Sequence, residues 1–268
     1  MPDIAIALIA GEGKLPVEIA HRLIQGGRRP LVYALGGNHA RFEGLDPEDV
    51  VPLENPDLEF VIQDLAKRDI HRLMLAGLVP KTLMYRPDNL GRSLGRILEN
   101  LDSRDDHTLL GAIVSEIERA GVRVLPYKDY IPDLLASEGL IAGRFPSDAE
   151  MADIAYAREV AQTLLPLSFG QTLAVHGKAV VAVEAMEGTD QMIKRAGELV
   201  NGGILLKMMR EDQDERYDLP TVGPSTIRGM ASAGLSCLAV EAGKTIVLER
   251  DDLARLAREA GIAVWGLR

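Results

Sequence analysis

Four things are scarce in this sequence. There is one cysteine, Cys237, which excludes an intramolecular disulfide and a zinc site built from cysteines. Aromatic residues make up 4% of the chain, so a core must be built from aliphatic side chains and alanine, within a hydrophobic content of 47%. Positive charge is the minority: 30 Lys and Arg against 40 Asp and Glu give a net charge of −10. That argues against a general polyanion binder and a nucleic-acid partner, because affinity for a phosphate backbone needs a basic surface. A small phosphorylated ligand held by a few local cations is not excluded. Long apolar runs are missing as well. The longest, residues 4–10, is about a third of a bilayer span. The start, Met1-Pro2-Asp3-Ile4, lacks the basic stretch and cleavage site of a signal peptide. A cytoplasmic protein is expected, with peripheral contact at a membrane left open.

What is present is an alternation of apolar runs and helical spacing over 268 residues, enough for one large or two modest domains. Ile4 to Ala10 is a continuous apolar run closed by Gly11-Glu12-Gly13, which predicts a strand buried on both faces. Leu15 to Gln25 has helical spacing, with Pro16 in the first turn and Gly26-Gly27 at the end. A second apolar run, Leu31 to Leu35, ends at Gly36-Gly37. Helices at Leu58–Ala66 and Asp106–Ala120 and strands at Arg72–Ala76 and Val122–Leu125 continue a parallel α/β pattern. Residues 131–144 have weak periodicity and read as a connector. Ser147 with Glu150 is a capping-box signature opening a helix. A hairpin follows, Thr172–Val175 with Ala179–Glu184. Then come a helix near 192–200, a strand at Ile204–Lys207, strands near 237–240 and 245–248, a helix at 251–260 and a strand at 262–265. The expected fold class is therefore α/β in two domains: residues 1–135, Rossmann-like with a mainly parallel sheet, and residues 145–268, with a mixed sheet.

Three segments could carry chemistry. Glycines at Gly11 and Gly13 follow a strand where α/β sheets present ligands, and the next helix offers free N–H groups to a phosphate. A ligand-free tight turn explains them equally well. The third glycine of a dinucleotide fingerprint is absent, with Pro16 in its place, and no acid follows the second strand, which counts against a nicotinamide oxidoreductase. Glu184-Ala185-Met186-Glu187-Gly188-Thr189-Asp190 places three acids after an apolar strand, a position from which carboxylates hold a hard divalent cation; a solvated loop with a helix cap is the bland alternative. Lys207, Arg210, Gln213, Asp214, Arg216 and Asp218 mix cations and carboxylates before Leu219-Pro220. Such a mix neutralises phosphate oxygens and binds metal or positions water. Composition alone favours an exposed charged loop there. No His-x-x-x-His pair is present, which disfavours a zinc hydrolase. Cys237 reads as a core residue.

Taken together, these segments resemble the Mg²⁺-dependent UDP-2,3-diacylglucosamine pyrophosphatases of the LpxI type. The resemblance is carried by residues 8–16 (LIAGEGKLP), 76–79 (AGLV), 105–110, 182–190 (AVEAMEGTD) and 213–223 (QDERYDLPTVG), in the family's order. It implies hydrolysis of the pyrophosphate of UDP-2,3-diacylglucosamine to UMP and lipid X in lipid A biosynthesis. Water would attack the α-phosphate, and the enzyme would be a homodimer whose two α/β domains enclose the acylated sugar nucleotide. It implies Asp218 as the essential aspartate, for metal binding or activation of water, and Arg216 and Lys207 for pyrophosphate charge. Asp218, Asp214, Glu187 and Asp190 are the implied Mg²⁺ ligands. Gly11, Gly13, Ala76, Gly77, Asp106, Glu184, Gly188, Thr189 and Gln213 are the implied substrate contacts. Residues 105–110 carry one residue more between the acids and the leucines than the family pattern, so either Asp105-Asp106 or Asp106-His107 fills the expected place. A peripheral location at the inner membrane fits a lipid substrate. A non-catalytic lipid or sugar-nucleotide binding protein on the same scaffold is the alternative.

Overall fold

A computed structural model describes residues 6–36, 42, 44–79, 92–99, 101, 106–168, 170–210 and 213–268; the side chains of 92, 93, 106 and 107 are outside that description. Ile4, Ala5, Gly37, Asp105 and the side chains of Asp106 and His107 therefore lie outside the described residues. The chain divides into two compact units. Unit 1 is Met1–Pro132 together with Glu215–Asp218, and unit 2 is Asp133–Asp214 together with Leu219–Arg268.

Unit 1 alternates strand and helix: β1 (Ile6–Ala10), α1 (Leu15–Gln25), β2 (Pro30–Leu35), β3 (Val50–Leu53), α2 (Leu58–Lys67), β4 (Arg72–Ala76), α3 (Arg92–Glu99), α4 (Asp106–Arg119) and β5 (Arg123–Val124). The sheet order is β3-β2-β1-β4-β5, parallel throughout, as expected for a Rossmann-like domain. Period-two alternation decides which residues meet which helices. Ala7, Leu31, Tyr33, Leu73 and Leu75 face Leu58, Val61 and Leu65 of α2 and Val114 and Ile117 of α4. The opposite face is covered by α1, through Ile19, Ala20 and Leu23, all fully buried. Tyr33 is buried too, and its hydroxyl donates to Asp64 at 2.9 Å, so the one polar atom on that ring is satisfied. β3 and α3 were not expected from the sequence. β3 carries Pro52, which an edge strand tolerates because one of its sides needs no ladder donor.

Unit 2 contains β6 (Gly139–Ala142), α5 (Asp148–Leu164), β7 (Thr172–His176), β8 (Ala179–Val183), α6 (Thr189–Leu199), β9 (Ile204–Lys207), β10 (Thr221–Val222), α7 (Pro224–Ala233), β11 (Cys237–Glu241), β12 (Ile246–Val247), α8 (Arg250–Glu259) and β13 (Ala263–Leu267). Its main sheet runs β6-β13-β11-β9-β7-β8; β9, β11 and β13 are parallel, while β6 and β7 run against them. α5 covers one face, with Ile154, Ala157 and Ala161 against Leu173, Leu206, Cys237 and Ala263. α6, α7 and α8 cover the other, with Met192, Ile193, Ile227, Met230 and Leu253 against Leu205, Leu238 and Val264. The expected hairpin is present as β7 and β8. Cys237 is a core residue, as expected, and burial pushes its thiol up to about 12. The connector reading of 131–144 is corrected: this stretch belongs to unit 2 from Asp133 onward and supplies the edge strand β6.

One polar cluster ties the start of α5 to the middle of the sheet. Ser147 Oγ accepts from the Glu150 N–H at 3.3 Å, and a Glu150 carboxylate oxygen accepts from the Ser147 N–H at 2.8 Å, completing the box the sequence signalled. The same carboxylate takes two 2.7 Å hydrogen bonds from Arg144 and one of 2.6 Å from the Ser236 hydroxyl, just before β11. Burial alone would raise the Glu150 pKa, but these four donors outweigh it and bring the group down to about 2. A carboxylate held below its ordinary value of 4.5 stabilises the fold above that pH, and the contribution fades as pH falls from 4.5 toward 2. Glu150→Gln is expected to lower stability at neutral pH by about 2–3 kcal/mol. It should also flatten the acid limb of the stability curve between those two pH values. Denaturant titrations from pH 2 to 7 check both, and an unchanged acid limb would remove Glu150 from the account.

Candidate functional site

The strand order in unit 1 reverses at β1, whose neighbours are β2 on one side and β4 on the other; a ligand crevice opens beyond strand ends at such a point. The loops leaving β1 and β4 are joined there backbone to backbone. The Gly11 N–H donates to the Ala76 carbonyl at 2.8 Å. Glu12 and Leu78 exchange N–H to carbonyl bonds of 2.7 and 3.0 Å. Neither glycine leaves room for a side chain. A Cβ on Gly11 would lie 2.6 Å from the Leu78 carbonyl oxygen. On Gly77, at φ +93°, it would lie 2.6 Å from Pro16 Cγ and 2.8 Å from the Glu12 carbonyl oxygen. Close approach of the two loops is thus sufficient reason for both glycines, apart from any phosphate. Gly13 is different: it is exposed, at φ +91°, with open space where a Cβ would be.

Below this junction lies a cavity of about 230 Å³. Gly11, Ala76 and Gly77 line it, and most of its wall is apolar: Leu58 and Val61 of α2, Leu94 and Leu98 of α3, and Leu109, Leu110 and Ile113 of α4. Its lining carboxylates are Asp57 and Asp218. Asp57 is committed to capping α2, accepting from the Phe60 N–H at 3.0 Å. Asp218 arrives on the four residues that fold with unit 1 from the far end of the sequence. Glu215 pairs with Lys128, and Arg216 pairs with Glu118 at 2.7 Å. Tyr217 packs on the apolar cluster of unit 1 and lines the cavity beside Asp218. Glu215 to Asp218 are part-exposed and packed or paired on unit 1, so these four residues are not a freely solvated run.

Unit 2 gathers a second set. β8 and β9 both run against β7, so their carboxyl ends lie on the same side of the sheet. Glu184, just past β8, is buried; its carboxylate accepts from the Gln171 N–H at 3.3 Å and from the Thr189 hydroxyl at 2.9 Å. Lys207, closing β9, donates to the same hydroxyl at 3.2 Å. Glu184, Thr189 and Lys207 therefore form one linked acid–hydroxyl–cation group, with Gly188 (φ +81°) turning the chain into α6. Nearby in sequence, Gln213 is buried and accepts from the Arg210 N–H at 3.1 Å. Asp214 is part-exposed, while Asp190 is exposed in the first turn of α6. Glu187 is spoken for: its own backbone N–H and Arg195, 2.6 Å away, hold its carboxyl below the usual range. Within neither unit do three or more His, Cys, Asp or Glu side chains converge on one metal position, among the described residues. The implied quartet does not form an all-protein cage in either unit: Asp218 folds with unit 1 and Asp214, Glu187 and Asp190 with unit 2. The sequence gives no role to Asp57, Gln171 or the partners Glu118 and Lys128, and it offers Tyr217 only as part of the 213–223 motif. Only Tyr217, an apolar ring within a charged run, left a local signal.

A family model described as the LpxI N-terminal domain matches residues 5–134, and one described as the LpxI C-terminal domain matches residues 137–265. The chain belongs to the LpxI family. It is also 30% identical, over 98% of its own length and 97% of the relative's, to the UDP-2,3-diacylglucosamine pyrophosphatase LpxI of Caulobacter vibrioides. The LpxI domains follow the sequence contiguously, whereas Glu215–Asp218, within the C-terminal domain by sequence, fold with unit 1. Gly77→Ala is expected to destabilise the protein by roughly 2–5 kcal/mol, from backbone strain at positive φ added to the clash with Pro16 and Glu12. Thermal or denaturant unfolding reads this directly; a loss below about 0.5 kcal/mol would contradict the close junction of the two loops.

Proposed function

We propose that this chain hydrolyses the pyrophosphate of UDP-2,3-diacylglucosamine to UMP and lipid X, a step of lipid A synthesis, with water attacking the α-phosphate. The observation that carries the reading is Asp218 on the wall of an otherwise largely apolar cavity. A carboxylate beside an aliphatic pocket suits a substrate with a charged diphosphate and acyl chains. Each methylene buried there contributes about 0.8 kcal/mol of binding. The curated relative carries the matching activity in its name.

In this reading Asp218 orients the attacking water and accepts its proton, and no covalent intermediate is needed. Within unit 2, Lys207 keeps the role in pyrophosphate charge that the resemblance implies; its ammonium donates to the Thr189 hydroxyl, which donates to the buried Glu184. The Arg216 guanidinium faces Glu118, and it serves by holding its turn. Mg²⁺ belongs to the proposal through the family resemblance. Among the described residues no cage of three protein carboxylates forms within either unit, but Mg²⁺ is commonly held by one or two carboxylates together with substrate phosphates. Asp218 is the residue that would hold it so. When bound, the ion supplies charge stabilisation to the phosphoryl oxygens. Homodimerisation, a cytoplasmic location and peripheral contact with the inner membrane rest on the same resemblance. No helix among the described residues is long and apolar enough to cross a membrane.

Three measurements decide the proposal. Purified protein should convert the substrate to UMP and lipid X, with ¹⁸O from water entering UMP, and Asp218→Asn should lower turnover at least about 10³-fold while keeping the wild-type melting temperature. Retention of the lipid without turnover by the wild type would make this a binding protein instead. EDTA should abolish the activity and Mg²⁺ restore it; full activity under chelation removes the ion from the reaction.

A further inference from the structure

The segment that delivers Asp218 is short and tethered outside unit 1 on both sides. Gln213 is held to the Arg210 backbone, and Pro220 accepts from the Ile246 N–H at 2.8 Å as the chain enters β10. Between these points, four residues fold with unit 1. Their hold there has three parts. Tyr217 packs on the apolar cluster, which fixes depth but not rotation. Glu215 and Arg216, adjacent and of opposite charge, each meet the opposite charge on unit 1: Lys128 in the turn after β5, and Glu118 in the last turn of α4. The four side chains are 28–40% exposed, so these pairs are neither dry nor fully screened. Reversed in order, Glu215 and Arg216 would each confront a like charge. The pairing thus admits one register of the segment and penalises a shift by one residue, and it is that register which puts Asp218, two residues beyond Arg216, on the cavity wall.

We propose that Glu118 and Lys128 are positioning residues: a two-point ionic clamp that fixes the register of Glu215–Asp218 and so places the Asp218 carboxylate. The inference rests on the reading of Asp218 given above, and its test separates the two. Exposed pairs contribute little to global stability, but a small misplacement of a reacting group costs rate out of proportion. Glu118→Gln and Lys128→Met are expected to leave the melting temperature nearly unchanged and to lower kcat by about five- to thirtyfold, with KM within about twofold. Raising salt should lower wild-type kcat more than that of the variants. Amide hydrogen exchange at residues 215–218 should speed up in both variants. Exchanging both pairs together, Lys128→Glu with Glu215→Lys and Glu118→Arg with Arg216→Glu, keeps both attractions and the alternation of sign, and should recover both kcat and protection, which a merely structural role for these residues would not require.

Unchanged protection in both single variants overturns the clamp, whatever the turnover. Lost protection with full turnover overturns the positioning role, and so does a charge-exchanged protein that recovers neither quantity. If the wild type itself shows no turnover, the pyrophosphatase reading fails, while the exchange data still decide whether the clamp exists.

Discussion

Tyr217 seated on the apolar cluster of unit 1 is the contact from which the polar chemistry follows. An aromatic ring carries a large hydrophobic driving force on few rotatable bonds, so it can hold a short piece of chain at a small entropic cost. Here the piece bears three charges within four residues, and it would otherwise prefer water. The ring supplies the attraction, Lys128 and Glu118 sort the charges on either side, and Asp218 is left on the cavity wall. Without the ring, two part-exposed ion pairs contribute only about 0–1 kcal/mol each, too little to keep the segment in place.

The two units solve different packing problems. Unit 1 has a wholly parallel sheet covered on both faces, and its strands read as unbroken aliphatic runs. Its polar demands are met locally, by the Asp57 cap and the Tyr33–Asp64 bond. Unit 2 has a mixed sheet whose carboxyl ends carry Glu184 and Lys207 on one side, while Glu150 is buried near the start of α5. Burying such groups costs several kcal/mol unless donors surround them. Glu150 has Arg144, Ser147 and Ser236; Glu184 has Gln171 and Thr189.

Elements that announce themselves by period were legible in the sequence: β1, β2, β4, α1, α2, α4, the capping box and the β7–β8 hairpin. Those with mixed signals were not. β3 has four residues and a proline, β6 is a short edge strand with glycine at its start, and α7 is built mostly from small residues around Gly229, with Ile227 and Met230 as its large buried side chains. The candidate site followed the same rule. Residue types were readable, because diphosphate chemistry calls for mixed acids and cations, so Glu184, Thr189, Lys207 and Asp218 could be singled out. Their partners were not, since Glu118 and Lys128 lie about ninety residues from the charges they meet and carry no local mark. The glycines carry a further lesson: Gly11 and Gly77, implied substrate contacts, both line the cavity, and the close approach of their two loops is a second reason for glycine at each that no local spacing reveals.

The excursion of Glu215–Asp218 into unit 1 makes the molecule divisible by packing but not by scission. A chain severed between residues 132 and 133 would yield a first fragment with a greasy hollow where a tyrosine belongs, and a second with a sticky, unmoored loop. Neither piece would be whole, and each would be prone to clump. Recombination that shuffles halves between distant relatives would meet the same obstacle, because a foreign second half must bring a loop whose charges and ring match the first.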